Sequence, residues 1–216
     1  MNILSVDTLP ATSASPSSGL EIKIPADAGI AFAPEETGST FLENALIKAA
    51  ALHNLLAEKG ILRGGEAVIA DDSGICVDAL GGRPGVHSAR YRGAIVGGAA
   101  ADGAVLNAVP SAEEQNALLL AELGGNPRRS ARFVCAMVLY YSSDRFFVAQ
   151  ETLEGEVVKN APQGNGGFGY DPVLYLPELG RTAAELSAQE KNRLSHRGKA
   201  GRILAGILAA QAGECR

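Results

Sequence analysis

Asp71 and Asp72 follow the short apolar run Ala67 to Ala70, and Glu36 and Glu43 stand near the start of an amphipathic stretch. A fold that pairs these two ends gathers carboxylates, and oxygen ligands of that kind suit Mg²⁺, which is commonly held by one or two carboxylates together with substrate phosphates. Side chains alternate along a strand, so at most one of the adjacent aspartates aims directly at a given metal. As a lone motif, Asp71-Asp72-Ser73-Gly74 fits equally a turn with solvated acids. Lys48 lies four residues after Asn44, so the two share a helix face, and from there Lys48 can reach an anion bound at the helix start, where amide hydrogens are free. A solvated surface lysine is the plain alternative.

Gly164, Gly166 and Gly169 match G-x-G-x-x-G. A dinucleotide fingerprint needs a helix directly after the glycines, whereas Tyr170-Asp171-Pro172 follows, and proline disfavours helix at the residue before it. What remains is a backbone open to close approach, with Phe168 and Tyr170 beside it as candidate stacking surfaces for a base, or else a tight connection with core aromatics. Lys191, His196 and Arg197 cluster around a helix start and could face an anion or a carbonyl oxygen; an ordinary capped helix with surface charges accounts for them too. His53 and His87 receive no role.

The elements that must position these groups follow from pattern. Leu20, Ile22 and Ile24 alternate with Glu21 and Lys23 as a strand ended by Pro25. Thr40 and Glu43 form a capping box, followed by Leu42, Ala45, Leu46, Ala49 and Leu56 at helical spacing until Gly60. Ala67 to Ala70 predicts a strand entering an acidic turn, with Ile75 to Leu80 its continuation or return. Ser111 to Leu123 predicts a surface helix. Phe133 to Tyr141, apolar on both faces, predicts a central covered strand, and Phe146 to Ala149 and Glu156 to Val158 two further strands. Thr182 with Glu185 makes a second capping box, and Ser195 caps a last helix with Ile203, Leu204, Ile207 and Leu208 in one stripe. The alternation of elements implies a layered α/β or α+β fold.

The 216 residues are 46% apolar and 20% charged, an ordinary globular composition that excludes collagen-like and wholly disordered classes. Residues 5 to 19, rich in Ser, Thr, Ala and Pro, predict a loosely ordered start. No apolar run approaches the ~18 residues of a spanning helix, and neither a basic region nor an apolar stretch of signal type opens the chain, so a cytoplasmic protein without a membrane partner is expected. The three cysteines, Cys76, Cys135 and Cys215, are far apart and read as plain thiols. A net charge of −5 argues against a general nucleic-acid binder.

Four stretches, EETGSTFLENALIKA (35 to 49), IADDSGICVDALGGRPGVHSARY (69 to 91), RRSARFVCAMVLYY (128 to 141) and QGNGGFGYDPVLYLPELGRTAAELSAQEKNRLSHRGKA (163 to 200), resemble in order and spacing the inosine-triphosphate pyrophosphatase family of house-cleaning enzymes. The resemblance implies an α/β fold with an elongated mixed sheet flanked by helices, two lobes around a central cleft, and a homodimer. It implies residues 1–34 as a loose start with one strand, and 35–216 as a single nucleotide pyrophosphatase domain. The implied reaction is Mg²⁺-dependent hydrolysis of ITP, dITP or XTP to monophosphate and pyrophosphate. By position, Asp72 is implied as proton acceptor and metal ligand, with Asp71 and Glu36 completing the metal site. Lys48 is implied on the phosphates and Ser73 on substrate, and Phe168, Gly169, Tyr170, Asp171, Lys191, His196 and Arg197 in the base pocket.

The resemblance departs at the amino end. The family begins with an apolar strand and a Ser/Thr-Gly-Asn-x-x-Lys loop, and neither is recognisable before residue 35. The expectation is therefore a chain that starts downstream of the family's usual start, missing one core strand and one phosphate lysine, with an open slot in its sheet. A catalytically impaired nucleotide-binding protein is one alternative that follows. A septum-formation-inhibitor-like nucleotide pyrophosphatase is another, opposed by the SHRG and FGYDP segments.

Overall fold

The computed structural model describes residues 2–5, 21–63, 65–93 and 110–214. Its strands are β1 (Asn2–Ser5), β2 (Glu21–Lys23), β3 (Ala67–Val77), β4 (Ser130–Ser142), β5 (Arg145–Val157), β6 (Leu174–Leu176) and β7 (Arg181–Thr182). The helices are α1 (Phe41–Glu58), α2 (Ala112–Leu123), α3 (Ala188–Leu194) and α4 (His196–Glu214). The strands form one mixed sheet in the order β2-β1-β3-β4-β5-β6-β7. β1 lies parallel to β2 and to β3, with Ile3 opposite Ala67 and Leu4 opposite Val68. β5, β6 and β7 are antiparallel, and the two residues joining β4 to β5 permit only an antiparallel pair.

β1 corrects the expected open slot: Asn2–Ser5 fills a position between β2 and β3. Four residues are too few to show a period, and it is the pairing on both edges that makes them a strand. Residues 6–20, most of the stretch expected to be a loose start, lie outside the described residues, as does Cys215.

By contacts the chain divides into two units that interleave in sequence. The first comprises residues 1–73, 134–152 and 192–216, and the second residues 74–133 and 153–191. In the first, alternate residues of the strands go to opposite faces. Val68, Ala70, Ala136, Val138 and Tyr140 pack on Ala45, Ala49, Leu52 and Leu56 of α1. Ala67, Ile69, Cys135, Met137 and Leu139 pack on Ala200, Leu204 and Leu208 of α4. Each fully buried leucine contributes about 1.5–3 kcal/mol from area alone. The second unit has its own core, in which Ile75, Val77, Phe133, Val157 and Leu174 meet Leu119 and Leu123 of α2.

The α1 capping box forms as predicted, with Thr40 Oγ1 accepting from the Glu43 amide at 3.1 Å and a Glu43 carboxylate oxygen accepting from the Thr40 amide at 3.1 Å. Three expectations need correction. The acidic segment is not a turn, because β3 runs unbroken through Asp71-Asp72-Ser73-Gly74. The two short strands predicted after β4 are one strand, β5, of 13 residues. Ile203 falls outside the α4 stripe, 44% exposed, and Ala200 takes its place. Among the described residues no helix is long and apolar enough to cross a membrane.

Candidate active site

Because β3 alternates, Asp72 continues the Val68–Ala70 row toward α1 and Asp71 continues the Ala67–Ile69 row toward α4. That separation decides what each aspartate meets.

On the α1 side, Lys48 Nζ lies 3.0 Å from Asp72 Oδ1 and 3.4 Å from Glu36 Oε1, so one ammonium bridges carboxylates 36 residues apart in sequence. Asn44, one turn before Lys48, donates from Nδ2 to Asp72 Oδ2 at 3.2 Å and accepts from the Gly38 amide at 2.8 Å. It thereby ties the loop carrying Glu36 to the strand carrying Asp72. The side chains of Lys48, Asp72 and Glu36 are 7%, 11% and 23% exposed. Burial raises the Asp72 pKa above the ordinary carboxylate value, against the opposing pull of Lys48 and Asn44. Glu43, the other acid near the start of α1, is spent on the helix cap. Ser73 is half-buried, one residue beyond Asp72.

On the α4 side, Asp71 Oδ2 accepts from Arg197 Nε at 2.7 Å and from the Cys135 thiol at 3.6 Å. Asp71 therefore does not join Glu36 and Asp72 as expected. His196 and Arg197 open α4, where Ser195 Oγ accepts from the Gly198 amide at 3.0 Å, the cap foreseen from the sequence. His196 is buried. Among the described residues no group of three His, Cys, Asp or Glu side chains is assembled to hold a metal by protein ligands alone.

The second unit organises the glycine-rich loop. Asp171, 3% exposed, accepts from the Phe168 amide at 2.7 Å and pairs with Lys191, whose Nζ sits 4.7 Å above the Phe168 ring. Gly167 has φ +77°, and a Cβ there would collide with the Asp171 carboxylate and come within 2.7 Å of Lys191 Nζ. Phe168 is 63% exposed and offers ring surface beside the Lys191 ammonium. Tyr170 does not: it is buried, and its hydroxyl donates to the Ser88 carbonyl at 2.9 Å, so of the two candidate stacking aromatics it is a peg for the loop rather than a surface for a base.

Three participants carried little signal in the sequence. Asn116, 3% exposed on α2, donates to the Gly169 carbonyl at 3.1 Å, and Gln115 donates to the Ala89 carbonyl at 2.9 Å. The clue available was position: Gln115 and Asn116 fall on the stripe of Leu119 and Leu123, where a polar residue needs a partner. Ser88 is the third, its hydroxyl accepting from the Ile75 amide at 2.9 Å and donating to the Gly85 carbonyl at 2.6 Å.

Comparison with known proteins places this geometry. The chain is 49% identical over 179 residues to the dITP/XTP pyrophosphatase of Treponema denticola, covering 83% of this chain and 82% of that protein. It is 47% identical over 189 residues to the dITP/XTP pyrophosphatase of Geobacillus kaustophilus, covering 84% and 79%. The solved structure of the Staphylococcus aureus Ham1 protein superposes with a TM-score of 0.78 at 32% identity, over 98% of this chain and 100% of that one. The family model described as the Ham1 family matches residues 10–207, and the chain belongs to that family.

Proposed function

We propose that this protein hydrolyses non-standard purine nucleoside triphosphates, dITP, XTP and ITP, to the monophosphate and pyrophosphate. The observation that carries the reading is the buried meeting of Glu36, Lys48 and Asp72, two acids from distant segments around one cation. The names of the relatives in Treponema denticola and Geobacillus kaustophilus support the substrate class.

The donor set fits Mg²⁺. Glu36 and Asp72 already share a cation, and two carboxylates with room left for phosphate oxygens and water match this ion's usual protein contribution. Glu36 and Asp72 would hold it, and when bound it would offset charge on the polyphosphate. Asp72 has the features of a proton acceptor for the attacking water: a carboxylate largely removed from solvent, whose pKa burial raises above the ordinary carboxylate value. Asn44 fixes the rotation of that carboxylate through Oδ2. Lys48, released from one carboxylate, would balance charge on the phosphates. Within the second unit, Phe168 and Lys191 are an aromatic face and a donor of the kinds suited to a purine; within the first, Arg197 supplies a donor for a 6-keto oxygen, which adenine's amino group would leave unpaired.

Pyrophosphate release from ITP, XTP and dITP, with ATP and GTP as controls, tests the proposal. Turnover of the first three that is lost in Asp72→Asn and on chelation supports it. Binding of ITP without turnover would instead make the chain a nucleotide-binding module. Arg197→Ala is expected to lower the preference for ITP over ATP more than the maximal rate.

A further inference from the structure

We propose that Asp71 is a positioning residue for purine selection: its buried carboxylate fixes Arg197, and it is not a ligand of the metal that Asp72 serves. This rests on the reading of Arg197 given above.

The geometry begins with strand alternation. Asp71 points toward α4 and away from Glu36 and Lys48, and its carboxylate is 2% exposed. A carboxylate that far from water requires charge compensation, and the cation at hydrogen-bond distance is Arg197, with Nε at 2.7 Å. The Cys135 thiol, at 3.6 Å from the same oxygen, adds a weak donor and no charge.

Arg197 is the second residue of α4, and its backbone is fixed because Ser195 caps that end. A long side chain on a fixed backbone still has several rotatable bonds, and a guanidinium that wanders distinguishes a keto oxygen from an amino group poorly, because the angle of an N–H bond sets its strength. Anchoring Nε to a rigid, buried strand removes most of that freedom and sets the plane of the fork. Two adjacent aspartates on one strand thereby take two tasks: one faces the reacting phosphate chemistry and the other holds the reader of the base.

The experiment compares kcat/KM for ITP and for ATP in the parent, Asp71→Ala, Asp71→Asn, Arg197→Ala and the double variant Asp71→Ala/Arg197→Ala, with the Mg²⁺ concentration for half-maximal rate measured on each. Loss of a charged hydrogen bond predicts an ITP-to-ATP ratio about tenfold or more lower in Asp71→Ala. Asp71→Asn, which keeps shape and an acceptor oxygen, is expected between Asp71→Ala and the parent. It is the deciding arm if Asp71→Ala does not fold. The double variant is expected to be no less selective than Arg197→Ala alone, since the two substitutions remove one device, and the Mg²⁺ requirement is expected to be unchanged in Asp71→Asn.

Equal losses on ITP and ATP with a raised Mg²⁺ requirement would make Asp71 a metal ligand and overturn the proposal. So would multiplicative losses of selectivity in the double variant, or an Asp71→Asn ratio equal to the parent's. Calorimetric binding of IMP and AMP to the same proteins gives an arm independent of turnover. A parent that prefers IMP yet releases no pyrophosphate refutes the hydrolase reading, and the positioning role then stands or falls on whether Asp71→Asn lowers that preference.

Discussion

Lys48→Met is expected to destabilise the protein in metal-free buffer and to make Mg²⁺ a stronger stabiliser than it is in the parent. Lys48 Nζ is within 3.0 Å of Asp72 and 3.4 Å of Glu36, and its side chain is 7% exposed. Removing one partner of a buried ion pair costs about 3–5 kcal/mol because the remaining charge stays desolvated. Here the cost sits near the lower end, since Glu36 is 23% exposed. About 3 kcal/mol at roughly 2–4 °C per kcal/mol predicts a melting point lower by about 6–12 °C. A divalent cation entering between the same oxygens competes with Lys48 in the parent and meets no competitor in the variant. A hundredfold excess over its dissociation constant adds about 2.7 kcal/mol, enough to restore most of the loss. Thermal melts of both proteins across a Mg²⁺ titration, with Ca²⁺ and high NaCl as controls, read the effect. A variant that melts with the parent in chelator, or gains no more than the parent from Mg²⁺, refutes the idea that Lys48 holds the cation position between the two acids.

Other expectations concern the supports of the site. Gly74→Ala is expected to cost about 1–3 kcal/mol in urea melts, because a Cβ there would press on the Ser88 hydroxyl and lie 2.5 Å from the Gly85 carbonyl. Leu204→Ala, at a position 1% exposed against the α4 face of the sheet, is expected to lose about 2–5 kcal/mol by the same assay. Glu190 is held down to about 2 by the Ser187 amide, the Ser187 hydroxyl and Arg181, from an ordinary value of 4.5. A depressed folded-state value means stability that is complete above the unfolded value and is lost as pH falls from about 4.5 toward about 2. The difference in melting point between the parent and Glu190→Gln is therefore expected at pH 6 and to vanish near pH 2.

What could be read in advance follows from what each pattern encodes. The α1 capping box and its apolar face are local, and both formed where Thr40, Glu43 and the Ala/Leu spacing placed them. The central strand was legible because burial on two faces leaves no polar alternation, and Val134 to Tyr140 are indeed all buried. β1 was not legible, since four residues become a strand only through neighbours on both sides. Nor was the unbroken course of β3 through Asp71-Asp72-Ser73-Gly74, whose composition favours a turn. There the structure satisfies both acids with cations from distant segments, so that tertiary pairing overrides local preference.

The expectation that Asp71 and Asp72 share one site meets a related obstacle, since Asp71 faces Arg197 and Asp72 faces Lys48. Adjacency in sequence suggests shared work, whereas on a strand it guarantees opposite faces. Sequence proximity misleads likewise for Phe168 and Tyr170, two aromatics separated by one glycine: Phe168 stays 63% exposed, and Tyr170 is buried with its hydroxyl on the Ser88 carbonyl. In both pairs the more deeply buried member holds something else in place, Arg197 for Asp71 and the helical turn Gly85–Arg90 for Tyr170. A substitution there acts through what it holds. Tyr170→Phe, which removes only the hydroxyl that reaches Ser88, should therefore alter the site while leaving the Phe168 ring in place. The expected signature is a raised KM for ITP with kcat within about twofold, the pattern of lost uniform binding. A kcat that falls in parallel with kcat/KM would show instead that Tyr170 meets the transition state itself.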